Sequence, residues 1–316
     1  MEGMLDDRDC QAIDAAKLYY HGGLSQAQVA ARLKVSRPTV SKLLQHAQNA
    51  GFVTISIDDP RERTDDLVAQ LRSRFMLSDA RVVSVPTRDD VLPELGRAGA
   101  ALLEELVTDD MSVGVSWGAT MRSIAEHLRH LSLSGVEVVQ LKGGHSHSER
   151  STQDAETLQG FSHAFNARTH MLPLPVIFDT AEAKSWVVKD RHIAHILELG
   201  RSVDVAVFTA GAAAEESLAL NLGYLAPEET EQILNRAVGD VCSRFYTDTG
   251  EVAVPAVDER TVGIELSDLA TRPTRVLVAG GSSKARAIAV ALRMGLATHL
   301  VIDRDTAQRV VDLSAE

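Results

Sequence analysis

Residues 24–44 read Leu-Ser-Gln-Ala-Gln-Val-Ala-Ala-Arg-Leu-Lys-Val-Ser-Arg-Pro-Thr-Val-Ser-Lys-Leu-Leu, and two helices with a tight joint can be read from them. Ser25 stands where an N-cap hydroxyl receives the first free amides of a helix over Gln26–Leu33. Lys34-Val35-Ser36 is only a connection. Ser36 is a second cap, and Pro38 falls in the first turn of the next helix, where its missing N–H costs nothing. That helix runs to Asn49, with Val40, Leu43, Leu44 and Ala47 at helical spacing. Upstream, Asp9–Tyr20 predicts a further helix, stopped by Gly22-Gly23. Downstream, Ala50-Gly51 ends the second helix and Phe52–Ile57 alternates as a strand. Helix, short turn, helix and β-ribbon make a winged helix-turn-helix.

Charge supports this reading. From Ala15 to Ile57 there is no acidic residue, while Lys17, Arg32, Lys34, Arg37 and Lys42 supply five positive charges. The whole chain carries −12, so the remainder holds −17. A basic head on an acidic body fits one part that meets phosphate and one that does not. In a helix-turn-helix the second helix enters the major groove with its N-terminal residues toward the bases. Here that end offers Ser36, Arg37, Pro38, Thr39, Ser41 and Lys42, and Gln26 opens the helix that crosses the backbone. Arg37 can pair with a guanine edge or grip a phosphate.

The rest of the 316 residues alternates differently. Asp58–Arg63 is charged, proline-bearing and without apolar periodicity, and marks a boundary between domains at 1–58 and 59–316. After a helix near Thr64–Phe75, β-branched runs predict strands at Arg81–Val85, Ser112–Ser116, Val136–Leu141, Val203–Phe208, Arg275–Ala279 and His299–Ile302. Amphipathic helices are predicted between them, at Glu94–Val107, Thr120–Leu131, Lys184–Leu199 and Ser283–Met294. Such alternation predicts an α/β fold, a doubly wound and mostly parallel sheet covered on both faces. Hydrophobic residues at 45% argue against wholesale disorder. Cys10 and Cys242 are too few and too far apart for a disulfide framework. The acidic N-terminus is no signal peptide, and the apolar run Val203–Ala214 is too short to cross a bilayer. A soluble, cytoplasmic protein without a membrane partner is expected.

Two strand-to-helix junctions carry glycine. The first is Val113-Gly114-Val115-Ser116-Trp117-Gly118-Ala119-Thr120, and the second Val278-Ala279-Gly280-Gly281-Ser282-Ser283-Lys284. Each lets backbone approach a ligand where a helix N-terminus presents free N–H groups to an anion, and the second adds a cation. Neither is a Walker loop or a complete dinucleotide fingerprint. Gly114–Gly118 also fits the Gly-x-Ser-x-Gly nucleophile elbow, with Asp179 and His299 among downstream partners, but no oxyanion segment of the His-Gly-Gly-Gly type precedes it. A third junction, Gln140-Leu141-Lys142-Gly143-Gly144, puts Lys142 at the carboxyl end of a strand, the edge where open α/β sheets bind ligands. Lysine there can pair with a phosphate. If desolvated, its neutral amine can form an imine with an aldehyde sugar. Val203–Thr209 ends at another strand tip on the same crevice. Asp240 closes a helical stretch, either as a surface acid or as an acceptor for hydroxyls. His145, His147, His192 and His195 are not joined by a cysteine or carboxylate set of zinc type, so no metal, cofactor or catalytic residue is assigned.

The order of these segments resembles the SorC family of bacterial transcriptional regulators, in its deoxyribonucleoside-regulator-like branch. The helix-turn-helix of residues 24–44 comes first, then Trp117-Gly118-Ala119-Thr120, Lys142-Gly143-Gly144 and finally Ala279-Gly280-Gly281-Ser282-Ser283-Lys284. The resemblance covers nearly the whole chain and implies an effector domain related to sugar-phosphate isomerases and deaminases, used for sensing. It further implies that Gly118, Ala119 and Thr120 hold a phosphate with Gly280, Gly281, Ser282, Ser283 and Lys284. Lys142 before Gly143 and Gly144 implies deoxyribose 5-phosphate held through an imine. Asp240, and either Gln153 or Asp154, would meet sugar hydroxyls. The histidine-rich loop His145–Ser151 departs from the family pattern. The function expected is a repressor of carbohydrate or nucleoside catabolism, a dimer or tetramer on operator DNA, released or retained by a phosphorylated sugar. The alternative is a sugar-phosphate isomerase or deaminase with an accessory DNA-binding domain.

Overall fold

The computed structural model describes residues 6–53, 64–85, 87, 90–149 and 151–314. The chain divides into two compact units, 1–61 and 62–316. In the first, α1 (Asp7–Ala16), α2 (Gln26–Leu33) and α3 (Arg37–Asn49) close over Ala12, Ala15, Val29, Val40, Leu43, Leu44 and Ala47. Ser25 caps α2 in a reciprocal box with Gln28, and the Ser36 hydroxyl accepts from the Thr39 amide at 3.2 Å. Lys34 takes the left-handed conformation, φ 56°, which makes the joint tight. His46 Nε2 lies 2.7 Å from Asp9 Oδ1 and ties α3 to α1. Arg37, Pro38, Ser41 and Lys42 are exposed on α3, and Thr39 is half-buried. The helix expected over Asp9–Tyr20 starts earlier and changes to a π-turn at Lys17–His21. The predicted wing Phe52–Ile57 falls from Thr54 onward outside the described residues, as does the Asp58–Arg63 boundary.

The second unit is built on seven strands: β1 (Asp79–Val83), β2 (Ser112–Val115), β3 (Glu137–Gln140), β4 (Arg168–His170), β5 (Val205–Phe208), β9 (Thr274–Val278) and β10 (His299–Asp303). All pairings are parallel, in the order β1-β10-β9-β5-β2-β3-β4. Side chains alternate between two cores. Val113, Val115, Val205, Val207, Val276 and Val278 face α5 (Val91–Leu106), α6 (Ala119–His127) and α7 (Asp154–Ala164). Ala206, Phe208, Leu277, Leu300 and Ile302 face α4 (Asp65–Phe75), α9 (Arg191–Ser202), α13 (Ala285–Arg293) and α14 (Arg304–Leu313). Burial on both faces explains why these strands read as continuous apolar runs.

A smaller layer has no counterpart among the strands that the sequence predicts. Strands β6 (Ala210–Ala212), β7 (Gly239–Val241) and β8 (Arg244–Tyr246) form an antiparallel sheet. Trp117, Phe245, Ile233 of α10 (Pro227–Arg236), and Val257 of the single-turn helix α11 (Pro255–Asp258) share a separate core. Another single turn, α12 (Leu266–Leu269), precedes β9. The helix expected over Lys184–Leu199 is two, α8 (Ala181–Val187) and α9, because Asp190 accepts from the amides of His192 and Ile193 and starts a new helix. The helix expected over Thr120–Leu131 ends at His127, where Leu128 turns extended. Asp240 lies in β7 and is buried rather than closing a helix.

Candidate functional site

The strand order reverses between β2 and β5. From β2 the chain moves outward to β3 and β4, whereas from β5 it moves to β9 and β10 on the other side. Loops leaving the carboxyl ends of two such strands diverge and leave a crevice. A cavity of about 350 Å³ lies at this place, lined by Gly118, Ala119 and Thr120 after β2, Lys142 after β3, Asp240 of β7, and Ser283 and Lys284 after β9. Its volume is at the small end of the range for sites that enclose small molecules. A second cavity, about 780 Å³, adjoins it through shared walls at Ala119, Thr120, Ser283 and Lys284, and has Gly280, Gly281 and Ser282 on its surface. Gly143, Gly144, Gln153 and Asp154 line neither.

Each of these four has a structural contact or conformation in the fold. The Gly143 carbonyl accepts from Trp117 Nε1 at 2.8 Å. A Cβ on Gly144 would stand 1.7 Å from Asp154 Oδ2, so glycine there is a close-approach requirement. Asp154 itself accepts from Gln140 Nε2 and the Thr152 hydroxyl, and Gln153 begins α7 in the left-handed conformation. At the two predicted phosphate loops the need is conformational: Gly118 has φ 128° and Gly281 φ 95°, with open space where a Cβ would be. Gly118 precedes α6 and provides no side-chain cap, so the first amides of that helix remain free to meet an anion.

Lys142 is the centre of the cavity's electrostatics. It is 5% exposed, and its Nζ donates to the Ser243 hydroxyl at 3.1 Å while lying 3.6 Å from the Trp117 ring centroid. Burial pushes its pKa down, against the opposing pull of Asp240 and Cys242. Asp240, 7% exposed, is pushed up by burial, and Lys142, the Ser243 amide and Lys284 pull it back. Lys284 is also lowered by burial, with Asp240 opposing. A desolvated lysine of this kind has more neutral amine than one in water, which is what nucleophilic addition to a carbonyl requires. Burial lifts the Cys242 thiol to about 11, so it holds its proton at neutral pH.

The Ser243 contact depends on a two-residue corner between β7 and β8. Cys242 and Ser243 both have positive φ, 52° and 63°, as a tight hairpin turn of this twist needs. Asp240 Oδ2 accepts from the Ser243 amide at 3.0 Å and braces it. Neither residue is the Gly or Asn that signals such a turn, so sequence reasoning missed Ser243. It missed Trp117 as a ring over Lys142 as well, because a lone aromatic in a loop has no periodicity.

The elbow reading of Ser116 fails on geometry. Its side chain is 2% exposed at the carboxyl end of β2, while His299 begins β10 at the opposite edge of the parallel sheet. His145 and His147 line neither cavity; the Tyr224 hydroxyl donates to the His145 carbonyl, and the His147 amide to the Leu222 carbonyl. Among the described residues no group of three His, Cys, Asp or Glu could hold a metal ion, and no helix is long and apolar enough to cross a membrane.

Comparison with known proteins agrees with this architecture. Residues 59–312 match the sugar-binding domain family, and residues 17–64 match the MarR family. The deoxyribonucleoside regulator of Bacillus subtilis is 46% identical over 310 residues, covering 97% of this chain and 99% of that protein. The full-length sorbitol operon regulator SorC of Klebsiella pneumoniae superposes with a TM-score of 0.78 at 28% identity, covering 97% of this chain and 99% of that one. A domain of a possible sugar-binding transcriptional regulator from Arthrobacter aurescens gives 0.73 at 27% identity over 81% of this chain and 100% of its own. A helix-turn-helix head followed by a sugar-binding α/β body defines the class as transcriptional regulators. Within it, the chain belongs to the SorC family of sugar-binding regulators.

Proposed function

We propose that residues 1–58 read operator DNA and that residues 59–316 bind a phosphorylated sugar and mediate self-association, the chain acting in the cytoplasm as a repressor of carbohydrate or nucleoside catabolism. The observation that carries this reading is the convergence of the α6 N-terminus, Lys284, Lys142 and Asp240 on one cavity of about 350 Å³. Free amides and an ammonium suit a phosphate. A buried lysine with an acid nearby suits the carbonyl and hydroxyls of an open-chain pentose or deoxypentose phosphate. In the reaction the neutral Lys142 amine adds to the aldehyde carbon, and loss of water from the carbinolamine leaves a C=N bond. The relative from Bacillus subtilis bears the name of a deoxyribonucleoside regulator, which supports that sugar class.

One helix-turn-helix buries too little surface for a specific operator, so a dimer or tetramer reading repeated half-sites is the working form. The ligand controls operator affinity only if it binds the DNA-competent and incompetent geometries unequally.

Thermal unfolding with ribose 5-phosphate, deoxyribose 5-phosphate and their unphosphorylated forms tests the sugar site. At a hundredfold excess over Kd, about 2.7 kcal/mol of stabilisation corresponds to a rise of about 5–10 °C. The rise is expected with the phosphorylated ligands alone; equal shifts from both forms refute the phosphate loops. Turnover of these compounds would favour an isomerase instead. On the DNA side, Arg37→Ala is expected to weaken operator binding by about 1–3 kcal/mol, roughly 5- to 150-fold, with sugar-phosphate affinity unchanged. Gel-shift and calorimetric titrations of the same preparation check it, and parallel loss of both affinities counts against separate roles for the two domains.

A further inference from the structure

A pentose phosphate in the 350 Å³ cavity leaves the 780 Å³ cavity beside it without an occupant. The two meet at Ala119, Thr120, Ser283 and Lys284, so a phosphate held by these residues sits on the boundary between them. Beyond that boundary the larger cavity combines an apolar wall with an unused cation. Val85, Leu92 and Leu95 form the apolar side. Leu92 is 39% exposed, although its carbonyl accepts from the Ser123 hydroxyl at 3.1 Å and its backbone is thereby fixed. Arg309 of α14 borders the same space, and neither it nor Lys284 stands in an ion pair among the described residues. Of the two acids there, Asp303 is committed to the Gly281 and Thr306 amides at 2.8 and 3.1 Å. Asp305 remains to accept from an amino group or a hydroxyl. An apolar wall with a few polar groups is the usual make-up of a small-molecule site, and a guanidinium stacks on aromatic rings or forks onto phosphate oxygens.

We propose that one ligand spans both cavities: a nucleoside diphosphate sugar with a free anomeric carbon, of which ADP-ribose is the representative. The inference rests on the sugar-phosphate reading above and enlarges its ligand class. The terminal ribose enters the 350 Å³ cavity in its open-chain form, and its phosphate lies on the boundary residues. The second phosphate and the nucleoside continue into the 780 Å³ cavity, toward Arg309 and Leu92. Two unpaired cations, one on the boundary and one beyond it, match two phosphates rather than one. A simple monophosphate ester ends at the boundary and covers neither Arg309 nor Leu92. The chemistry at Lys142 is unchanged, because the substituent on the phosphate leaves the aldehyde carbon as it is: the amine adds there and water departs.

Calorimetric titration compares ADP-ribose with ribose 5-phosphate and with ADP, each of which lacks one end, on wild type, Arg309→Ala and Leu92→Gln. ADP-ribose is expected to bind about 10- to 100-fold tighter than either, because both ends engage at once. Each substitution is expected to weaken ADP-ribose about three- to tenfold and to leave ribose 5-phosphate within about twofold. Borohydride added to the ADP-ribose complex should leave a secondary amine on Lys142 that carries the whole nucleotide. Its absence where ribose 5-phosphate does give an adduct overturns the placement. ADP-ribose that binds no tighter than ribose 5-phosphate overturns the proposal, as does ADP that binds as tightly as ADP-ribose. So does an advantage of ADP-ribose that both variants retain, or an equal loss of ribose 5-phosphate in both. Ribose 5-phosphate bound without ADP-ribose sinks this inference alone. If wild type binds neither, the sugar-phosphate reading fails and the inference falls with it.

Discussion

Arg244→Leu is expected to lower the midpoint of thermal unfolding by about 6–20 °C. Arg244 is 2% exposed in β8, and its guanidinium meets Asp258 Oδ1 at 2.8 Å, Glu265 Oε1 at 2.7 Å and the carbonyl of Ile264 at 2.8 Å. Removing the buried guanidinium leaves the Ile264 carbonyl and two partly solvated carboxylates without their donor; bonds to a charged group are worth about 1.5–3 kcal/mol each, and with solvent screening the loss of the set totals about 3–5 kcal/mol. For a unit of this size each kcal/mol shifts the midpoint by about 2–4 °C. The deficit has a definite pH dependence. Burial raises the Glu265 pKa, and Arg244 opposes it. Without Arg244 the folded-state pKa rises further above the unfolded value, so the folded protein takes up more protons than the unfolded chain. Stability is then lost as pH rises through that window and regained as it falls. Calorimetric melting at neutral pH and near pH 4 should show the smaller difference from wild type in acid; a constant deficit would mean that packing, not charge, is what Arg244 supplies.

Lys142→Met is expected to abolish borohydride-trapped adducts with deoxyribose 5-phosphate and to weaken its binding by about 10- to 150-fold, the range for a bond to a charged group. In wild type, hydride reduction of the imine gives a stable secondary amine on Lys142, which peptide mass mapping locates. Because burial lowers the Lys142 pKa, trapping should increase with pH and level off below the range of an ordinary exposed lysine. The ligand-free variant should melt no lower than wild type, since a desolvated ammonium has been exchanged for an apolar chain. Wild type that yields no adduct on Lys142 reduces this residue to an ion-pair role.

The sequence exposes the parts of this molecule that have local physical signatures. Ser25 and Ser36 announce helix starts, and Val40, Leu43, Leu44 and Ala47 repeat at helical spacing, so the head is readable without its tertiary contacts. The parallel sheet is readable because strands such as Val205–Phe208 are buried on both faces and must be apolar throughout. Strands β6, β7 and β8 are three residues each, too short for a period to register. Their corner uses Cys242 and Ser243, which no turn rule selects. The effect is local: the sequence pattern puts Asp240 at the end of a helix, whereas pairing with Gly211 and Phe245 buries it beside the cavity. Similarly, Gly143 and Gly144 look like ligand-facing glycines in sequence. The approach of the Pro175 carbonyl to Gly143 and of Asp154 to Gly144 adds a demand that sequence does not display, since crowding alone excludes a side chain at both positions.

The left-handed corner at Cys242-Ser243 bears on how this regulator can be altered. Asn-Gly would adopt the same conformation with less strain, so selection for heat resistance alone pushes the corner toward that pair. It would also delete the hydroxyl that anchors Lys142. On the proposed role of Lys142, endurance and ligand capture are opposed at two adjacent positions, and thermostable descendants of this chain should be screened for sugar-phosphate binding before they are called improved.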